Sequence, residues 1–596
     1  MKSLNPKIPK VSITVILTLI LLTSGFLSVL SINLSTAQSN NSEITFIKGS
    51  SGSTFVDTFN TFKSSYANAQ TIISLVYPWL LMFSPDMNSL EPYLATSWDI
   101  NLLNHTAIFH LNQNAKWSDG VPITAQDVVF SYNTYMQPWS HLKKWTSSIT
   151  SVTALNNYTV KFTITGISFE LLAIDLPIVP YHIWKNVNLT SYSGFSSGST
   201  FVGGGPFLIS SYTPSQSVVL VKNPNFWDPS LTPHVDKLIF QNFASSTSEL
   251  AALESGEIDV AGISITDIPS VKNNTNLAIV GSPGSADHYL VFNQYPNGSG
   301  NPTLRDIHVR EALAYALNIS YLIQLGYKGY AIPGVSLVNP GNPFCNPYLK
   351  PWPYNVTLAN KILDEYGYKY GSNGIRESPN GTPLIFNLWL PSGFTTDINL
   401  APVMVKYWQA IGVKVNVQVF DSATLSALEV AYKHDMVIWD WNSMPNWPSE
   451  LYVHLTSSIP EDNDAGYSNH TYDMLYNELM NATSITQAKI IAYEMQNLTY
   501  YALAYLNMYY PEYLTAYNIQ KWTNINTSVV SQAGIFGFAP GIWNYLSVEP
   551  KTQVTPSEIT PMSPIIIGSI IVIIVIILAV ISYIVYKKKQ SKKGKL

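Results

Sequence analysis

Residues 439–448 read Trp-Asp-Trp-Asn-Ser-Met-Pro-Asn-Trp-Pro, so Trp439, Trp441, Trp447, Asn442 and Asn446 fall within nine positions. Indole faces stack on the apolar C–H faces of pyranose rings, and an amide offers both a donor and an acceptor to a hydroxyl. The chemistry that suits such a cluster is carbohydrate binding. A plainer reading stands beside it. Trp439 and Trp441 lie two apart in a strand-like run, share a face, and equally suit a core, with Asp440 on the opposite face.

Other chemistries find less support. The 10 His residues are scattered without metal-ligand spacing. Carboxylate pairs such as Glu461 and Asp462 sit in ordinary loop contexts, not in the facing arrangement that glycoside hydrolysis needs. Gly203-Gly204-Gly205 before Pro206 lacks the Lys-Ser/Thr of a phosphate loop, so a close backbone crossing is expected there. The sequence therefore predicts a binder rather than an enzyme, with no catalytic residues, metal or cofactor. Cys345 is the single cysteine, which excludes a disulfide within the chain.

These residues are set in an unusual background. Charged residues make up 12% of the 596, about half the roughly 25% of an average soluble protein. The net charge of −5 provides no basic face for nucleic acid. With 46% hydrophobic and 13% aromatic residues the chain can bury substantial cores. Alternating patterns predict strands at Glu43–Lys48, Thr106–Leu111 and Thr159–Ile164. Helical spacing predicts helices at Asp306–Leu317, Leu358–Tyr366 and Thr486–Leu506. Strand patterns at Leu384–Leu390, Lys414–Phe420 and Met436–Trp441 lie between them, which predicts α/β lobes.

The two ends speak of location. Lys2, Lys7 and Lys10, the apolar run 11–30 and small residues near Ser35 and Ala37 read as a signal peptide, 1–37. A Ser/Thr/Pro linker (550–564) precedes the uncharged run 565–586, long enough to span a bilayer, and a lysine-rich tail (587–596). By the positive-inside rule the tail is cytoplasmic, so the bulk of the chain is expected outside the cell, tethered at its C-terminus. Sequons at Asn104, Asn157, Asn188, Asn297, Asn318, Asn355, Asn469 and Asn497 suit a glycoprotein.

The stretch Glu91–Phe130 resembles the signature of the family 5 extracellular solute-binding proteins, the oligopeptide/dipeptide-binding group of ABC importers. Pro92-Tyr93-Leu94-Ala95, Trp98, Phe109-His110-Leu111, Trp117-Ser118-Asp119-Gly120, Thr124-Ala125 and Asp127–Phe130 carry it. Gly203–Phe207, Asn223–Trp227, Leu253–Val260, Phe292-Asn293, Val309–Leu313, Ala359–Tyr368 and Trp408–Val415 continue it in order, up to the strand ending at Trp441. The resemblance covers residues 43–549 and, with the C-terminal anchor, points to the archaeal type. It implies a two-lobed, type II periplasmic-binding-protein-like α/β fold with an extra subdomain. The first lobe would comprise 43–84, 202–290 and 512–549, the extra subdomain 85–201, and the second lobe 291–511. Crossings near Tyr289–Asn293 and Tyr510–Tyr517 would act as hinges. The implied partners are ABC permease subunits with a separate ATPase, since no Walker motif is present; the receptor itself would be a monomer.

Peptide-binding members hold the ligand's α-ammonium with an Asp just after the Trp matched by Trp441, and that position is Met444 here. A thioether cannot pair an ammonium, whose desolvation would go uncompensated. The expected ligand is therefore an oligosaccharide, as for many archaeal members, contacted by Trp439, Trp441, Asn442, Met444, Asn446 and Trp447. Asn60 and Tyr77, after the first strand, are expected to line the same cleft. An oligopeptide is the alternative ligand, and an extracellular glycosidase a remote one.

Overall fold

Runs rich in Val, Ile, Leu and aromatic residues form the strands of the computed structural model, which describes residues 43–52, 55–165, 176–195, 199–284, 286–442, 448–530, 534–538 and 541–551, with Ala579 and Tyr583. Residues 1–42, which include the expected signal peptide, nearly all of the expected linker and of the apolar run, and the lysine-rich tail lie outside the described residues. No helix among the described residues is long and apolar enough to cross a membrane.

Strand β1 (Thr45–Ser51) and helix α1 (Ala67–Val76) come first. A four-stranded antiparallel sheet follows: β2 (Ala95–Asn101), β3 (Thr106–Leu111), β4 (Ile149–Asn156) and β5 (Thr159–Ile164), in the order β2-β3-β5-β4. It carries α2 (Ala125–Tyr135) and falls within the span expected for the extra subdomain. Helix α2 starts at Thr124, whose hydroxyl accepts from the Gln126 N–H while the Asp127 carboxylate accepts from the Thr124 N–H at 2.7 Å. Asp thus fills the capping-box place usually held by Glu.

The chain continues through β6 (Phe207–Thr213), β7 (Ser217–Lys222), β8 (Lys237–Phe243), α3 (Ser246–Ser255), β9 (Val260–Ile263) and β10 (Leu277–Pro283). Next come β11 (Ala286–Phe292), α4 (Ile307–Ala316), α5 (Ile319–Tyr327), β12 (Ala331–Pro333), α6 (Val356–Glu365), β13 (Ile385–Pro391) and α7 (Thr395–Gln409). The last part holds β14 (Lys414–Phe420), α8 (Ser422–Val430), β15 (Met436–Asn442), α9 (His470–Met480), α10 (Ile485–Ala502) and β16 (Tyr505–Asn518). Among the described residues one hydrogen-bonded path runs β14-β13-β15-β11-β16-β9-β1-β8-β7-β6, with β10 and β12 also paired to β16.

Strand β16 belongs to both lobes. Its residues up to Pro511 pair with β11 and β12, whereas Glu512 onward pairs with β10 and β9. The chain passes between lobes at Pro511–Glu512 and between Pro283 and Ala286. Tyr289–Phe292, expected at a crossing, instead lie inside β11. Strands β11, β13 and β15 are covered on both faces, so each holds a short continuous apolar stretch: Tyr289–Phe292, Leu388–Leu390 and Met436–Trp439. Leu290, Phe292, Leu388, Leu390, Met436 and Ile438 enter one core, and Tyr289, Val291, Trp389 and Val437 the other.

Helix α10 stops short of its sequence-based end at Leu506. Leu503 takes a left-handed φ of 43°, and Tyr505 already begins β16, where pairing with β11 overrides the helical periodicity. Asn318, Asn355 and Asn469 cap α5, α6 and α9 through their side-chain oxygens, so three of the Asn-x-Ser/Thr patterns also have a folding role. The triple glycine is a backbone crossing, as its residue types predict. The Gly204 and Gly205 N–H groups donate to the Val76 carbonyl at 3.1 and 3.0 Å, and a Cβ on Gly205 would lie 2.4 Å from the Leu75 oxygen.

Candidate functional site

Parallel strands leave a crevice outside their carboxyl ends, where the chain departs into loops. In the first lobe β1 and β9 are parallel, with Lys48 opposite Val260, and end at Ser51 and Ile263. In the second lobe β13 is parallel to β14 and β15, and these strands end at Pro391, Phe420 and Asn442. The antiparallel registers Pro283–Glu512 and Ala286–Asn442 bring both sets of ends to the crossing between lobes.

At the first lobe's side of that crossing lies an open cavity of about 850 Å³, lined among others by Lys48, Ser50, Asn68, Glu249, Glu512 and Tyr513. Lys48 Nζ donates to Asn68 Oδ1 at 3.1 Å, and Asn68 Nδ2 donates to Ser50 Oγ at 2.7 Å. Burial lowers the Lys48 ammonium to about 8, an effect that Glu249 opposes. Burial raises the Glu249 carboxyl, opposed by the Ser51 hydroxyl and by Lys48. Glu512 is raised by burial alone. Glycines make room for these groups. A Cβ on Gly281 would lie 2.6 Å from the Glu512 carboxylate, and one on Gly262 would lie 2.7 Å from the Tyr513 hydroxyl.

The second lobe's strand ends carry aromatic rings. Trp439 stacks on Phe394 with centroids 6.0 Å apart, and Trp441 meets Tyr452 edge-on at 6.0 Å. Both indoles also pack against the second lobe's core, so their plainer reading accounts for part of their surface. Asp440 faces the other way, opposite His288 in register. Its carboxyl is raised chiefly by burial, with His288 opposing. His288 Nδ1 lies 3.0 Å from Asp397 Oδ2, and the Tyr509 hydroxyl donates to the other oxygen of Asp397. Asp287, opposite Trp441, is fully buried: Oδ2 accepts from Asn507 Nδ2 at 2.6 Å and Oδ1 has no partner among the described residues. Burial holds this carboxyl well above the usual range, and Glu450 and Asp440 add to the effect.

The sequence-based site divides accordingly. Trp439 and Trp441 reach the carboxyl end of β15, and the Asn442 backbone pairs with Ala286. The Asn442 side chain and residues Met444, Asn446 and Trp447 lie outside the described residues. Asn60 and Tyr77 are corrected: both are interior. The Asn60 amide donates to the Leu189 and Tyr192 carbonyls at 2.9 and 2.8 Å, which ties the segment 189–192 to the chain after β1. Tyr77 is 1% exposed among Trp117, Trp184 and Phe201. Sequence reasoning missed Lys48, Glu249 and Glu512. The available signal was glycine at or near strand ends, at Gly49, Gly262 and Gly281.

The model of the "Bacterial extracellular solute-binding proteins, family 5 Middle" matches residues 89–463. The chain belongs to this family. It is a two-lobed periplasmic-binding-protein-like α/β protein and the solute-binding receptor of an ABC importer; members of the family are binding proteins, not enzymes. Among its relatives is the glutathione-binding protein GsiB of Escherichia coli (strain K12), 24% identical over 446 residues, covering 71% of this chain and 80% of that protein. The oligopeptide-binding protein AppA of Bacillus subtilis, solved with a nonapeptide, aligns with a TM-score of 0.57 at 20% identity, over 85% of this chain and 99% of that one. The murein tripeptide-binding protein MppA, in an unliganded open form, aligns with a TM-score of 0.71 at 16% identity, over 85% and 98%.

Proposed function

We propose that this receptor captures a peptide rather than the oligosaccharide that its tryptophans suggested, and passes it to an ABC permease. The observation that carries this reading is the charge inside the cavity: Lys48, Glu249 and Glu512 all line it. A neutral sugar brings no counter-charge for the Glu512 carboxylate, which has none among the described residues, whereas a zwitterionic peptide supplies charges of both signs. Relatives named for glutathione and peptide binding support the same class. We further infer that the leader directs export, that the run 565–586 anchors the chain in the cell membrane, and that residues 38–564 lie outside, glycosylated at exposed sequons.

Isothermal titration of the purified full chain against peptides of two to five residues, and against malto- and cello-oligosaccharides, tests the ligand class. Peptide binding at micromolar or tighter affinity is expected. Binding of the sugars with no response to any peptide would restore the carbohydrate reading. Carbonate extraction tests the anchor, since a protein released into the supernatant has none.

A further inference from the structure

We propose that Glu512, on the strand shared by both lobes, receives the ligand's ammonium group. The inference rests on the peptide reading and names the place where the positive end is held.

The cavity's charges are not balanced among themselves. Lys48 and Glu249 each offset part of the other's desolvation, and Lys48 also donates to Asn68. Glu512 has no such partner: among the described residues its carboxylate makes no hydrogen bond or ion pair, while its backbone N–H donates to the Tyr330 carbonyl at 3.3 Å. A half-buried carboxylate without a partner keeps its desolvation cost until a cation arrives. An ammonium bound there gains a charge-assisted hydrogen bond in a site that water screens weakly.

The backbone around Glu512 fits the role. Its carboxylate lies across Gly281 of β10, where a Cβ would come within 2.6 Å, so the absence of a side chain there lets it lie flat against the strand. Pro511, the residue before it, is the last one in register with β12, opposite Ala331. A cation on Glu512 therefore sits where the two lobes join and can bias their closure.

The rival carboxylates are less suited. Asp440 already has His288 beside it and Asp397 close by. Asp287 is 0% exposed and tied to Asn507, so no ligand reaches it without rearrangement. Met444 has no charge to offer.

The test uses the purified full chain, alanine peptides of two to five residues, and the same peptides N-acetylated. Wild type is expected to prefer the free amines by about 30-fold, the scale of one charge-assisted hydrogen bond. Glu512→Gln should erase that preference, weakening binding of the free peptides about 30-fold while leaving the acetylated ones unchanged. Asp440→Asn and Asp287→Asn should keep it. Should Glu512→Gln fail to fold, as read by circular dichroism, Glu512→Asp and Gly281→Ala move the same carboxylate and should narrow the preference at least threefold. A preference that survives in the folded variants, or that disappears in Asp440→Asn instead, overturns the assignment and leaves the peptide reading standing. Wild type that binds none of the peptides overturns both.

Discussion

Burial acts on carboxylates in both lobes, yet it leaves them in different situations. In the first lobe Glu249 and Glu512 line an open cavity, where a ligand can reach them. In the second lobe Glu429 is buried and Asp464 half-buried, beside the stacked pair Tyr289 and Tyr505, whose rings are 4.5 Å apart at 2°. His454, its ring 4.5 Å from Tyr505, is held neutral, pushed down to about 3 by burial. Burial also pushes Asp464 up to about 7 and Glu429 well above the carboxylate range, with Asp464 adding to the latter. The difference teaches that a raised carboxyl is a binding feature only where a counter-charge has access. Where it has none, the group becomes a source of pH-dependent stability.

Four measurements break or sharpen this contrast. The largest effect belongs to the enclosed cluster. Tyr505→Ala opens a cavity beside Tyr289 and His454 and should cost about 3–5 kcal/mol in urea unfolding. Peptide affinity of the protein that remains folded should change by less than about threefold, because no ligand contact is removed. A large affinity loss would mean that the cluster is part of the site.

The second effect is the pH slope of the enclosed acids. The Asp464 carboxyl lies at about 7 in the folded state against 3.8 ordinarily. Its stabilising contribution is then full below pH 4 and lost as pH rises through 7. Unfolding free energy should fall by roughly 2–4 kcal/mol between pH 4 and 8, and Asp464→Asn should flatten that fall. An unchanged slope in the variant would remove Asp464 from the account.

The cavity lysine should show the opposite slope at higher pH. Lys48 is at about 8 folded against 10.5 ordinarily, so the unfolded chain binds more protons between those values. Stability should therefore rise with pH across that window, by roughly 1–2 kcal/mol, and Lys48→Met should lack the rise. The smallest effect is that of salt. Raising NaCl from about 0.05 to 0.5 M should weaken peptide binding only about two- to threefold, because the half-buried Glu512 is screened weakly. A loss of tenfold or more would place the charge contact on the open surface.

Much of the local architecture was legible in the sequence. The strand Thr106–Leu111 and the Asp306 cap of α4 are where alternation and capping chemistry put them. The glycine crossing at Gly203–Gly205 was legible because only residues without a Cβ tolerate that approach. The site was legible on one side only. Trp439 and Trp441 announce themselves by side-chain type, but Glu512 sits in the run Tyr509-Tyr510-Pro511-Glu512-Tyr513 like any strand residue. Asn60 and Tyr77 misled because residues near one another in sequence can point into different compartments; both are used to pack the interior.

The sequence by itself determined the family, the α/β lobes, the low charge and the absence of an aspartate at position 444. Those follow from residue type and local spacing, which act over a few positions along the chain. Tertiary structure alone decided which carboxylates have access to a ligand and which are enclosed. Lys48, Glu249 and Glu512 are hundreds of residues apart, and they meet because β16 threads both lobes and leaves its register with β12 just before Glu512. Burial, which sets the protonation of each group, depends on everything packed around it and so has no signature in any short stretch of sequence.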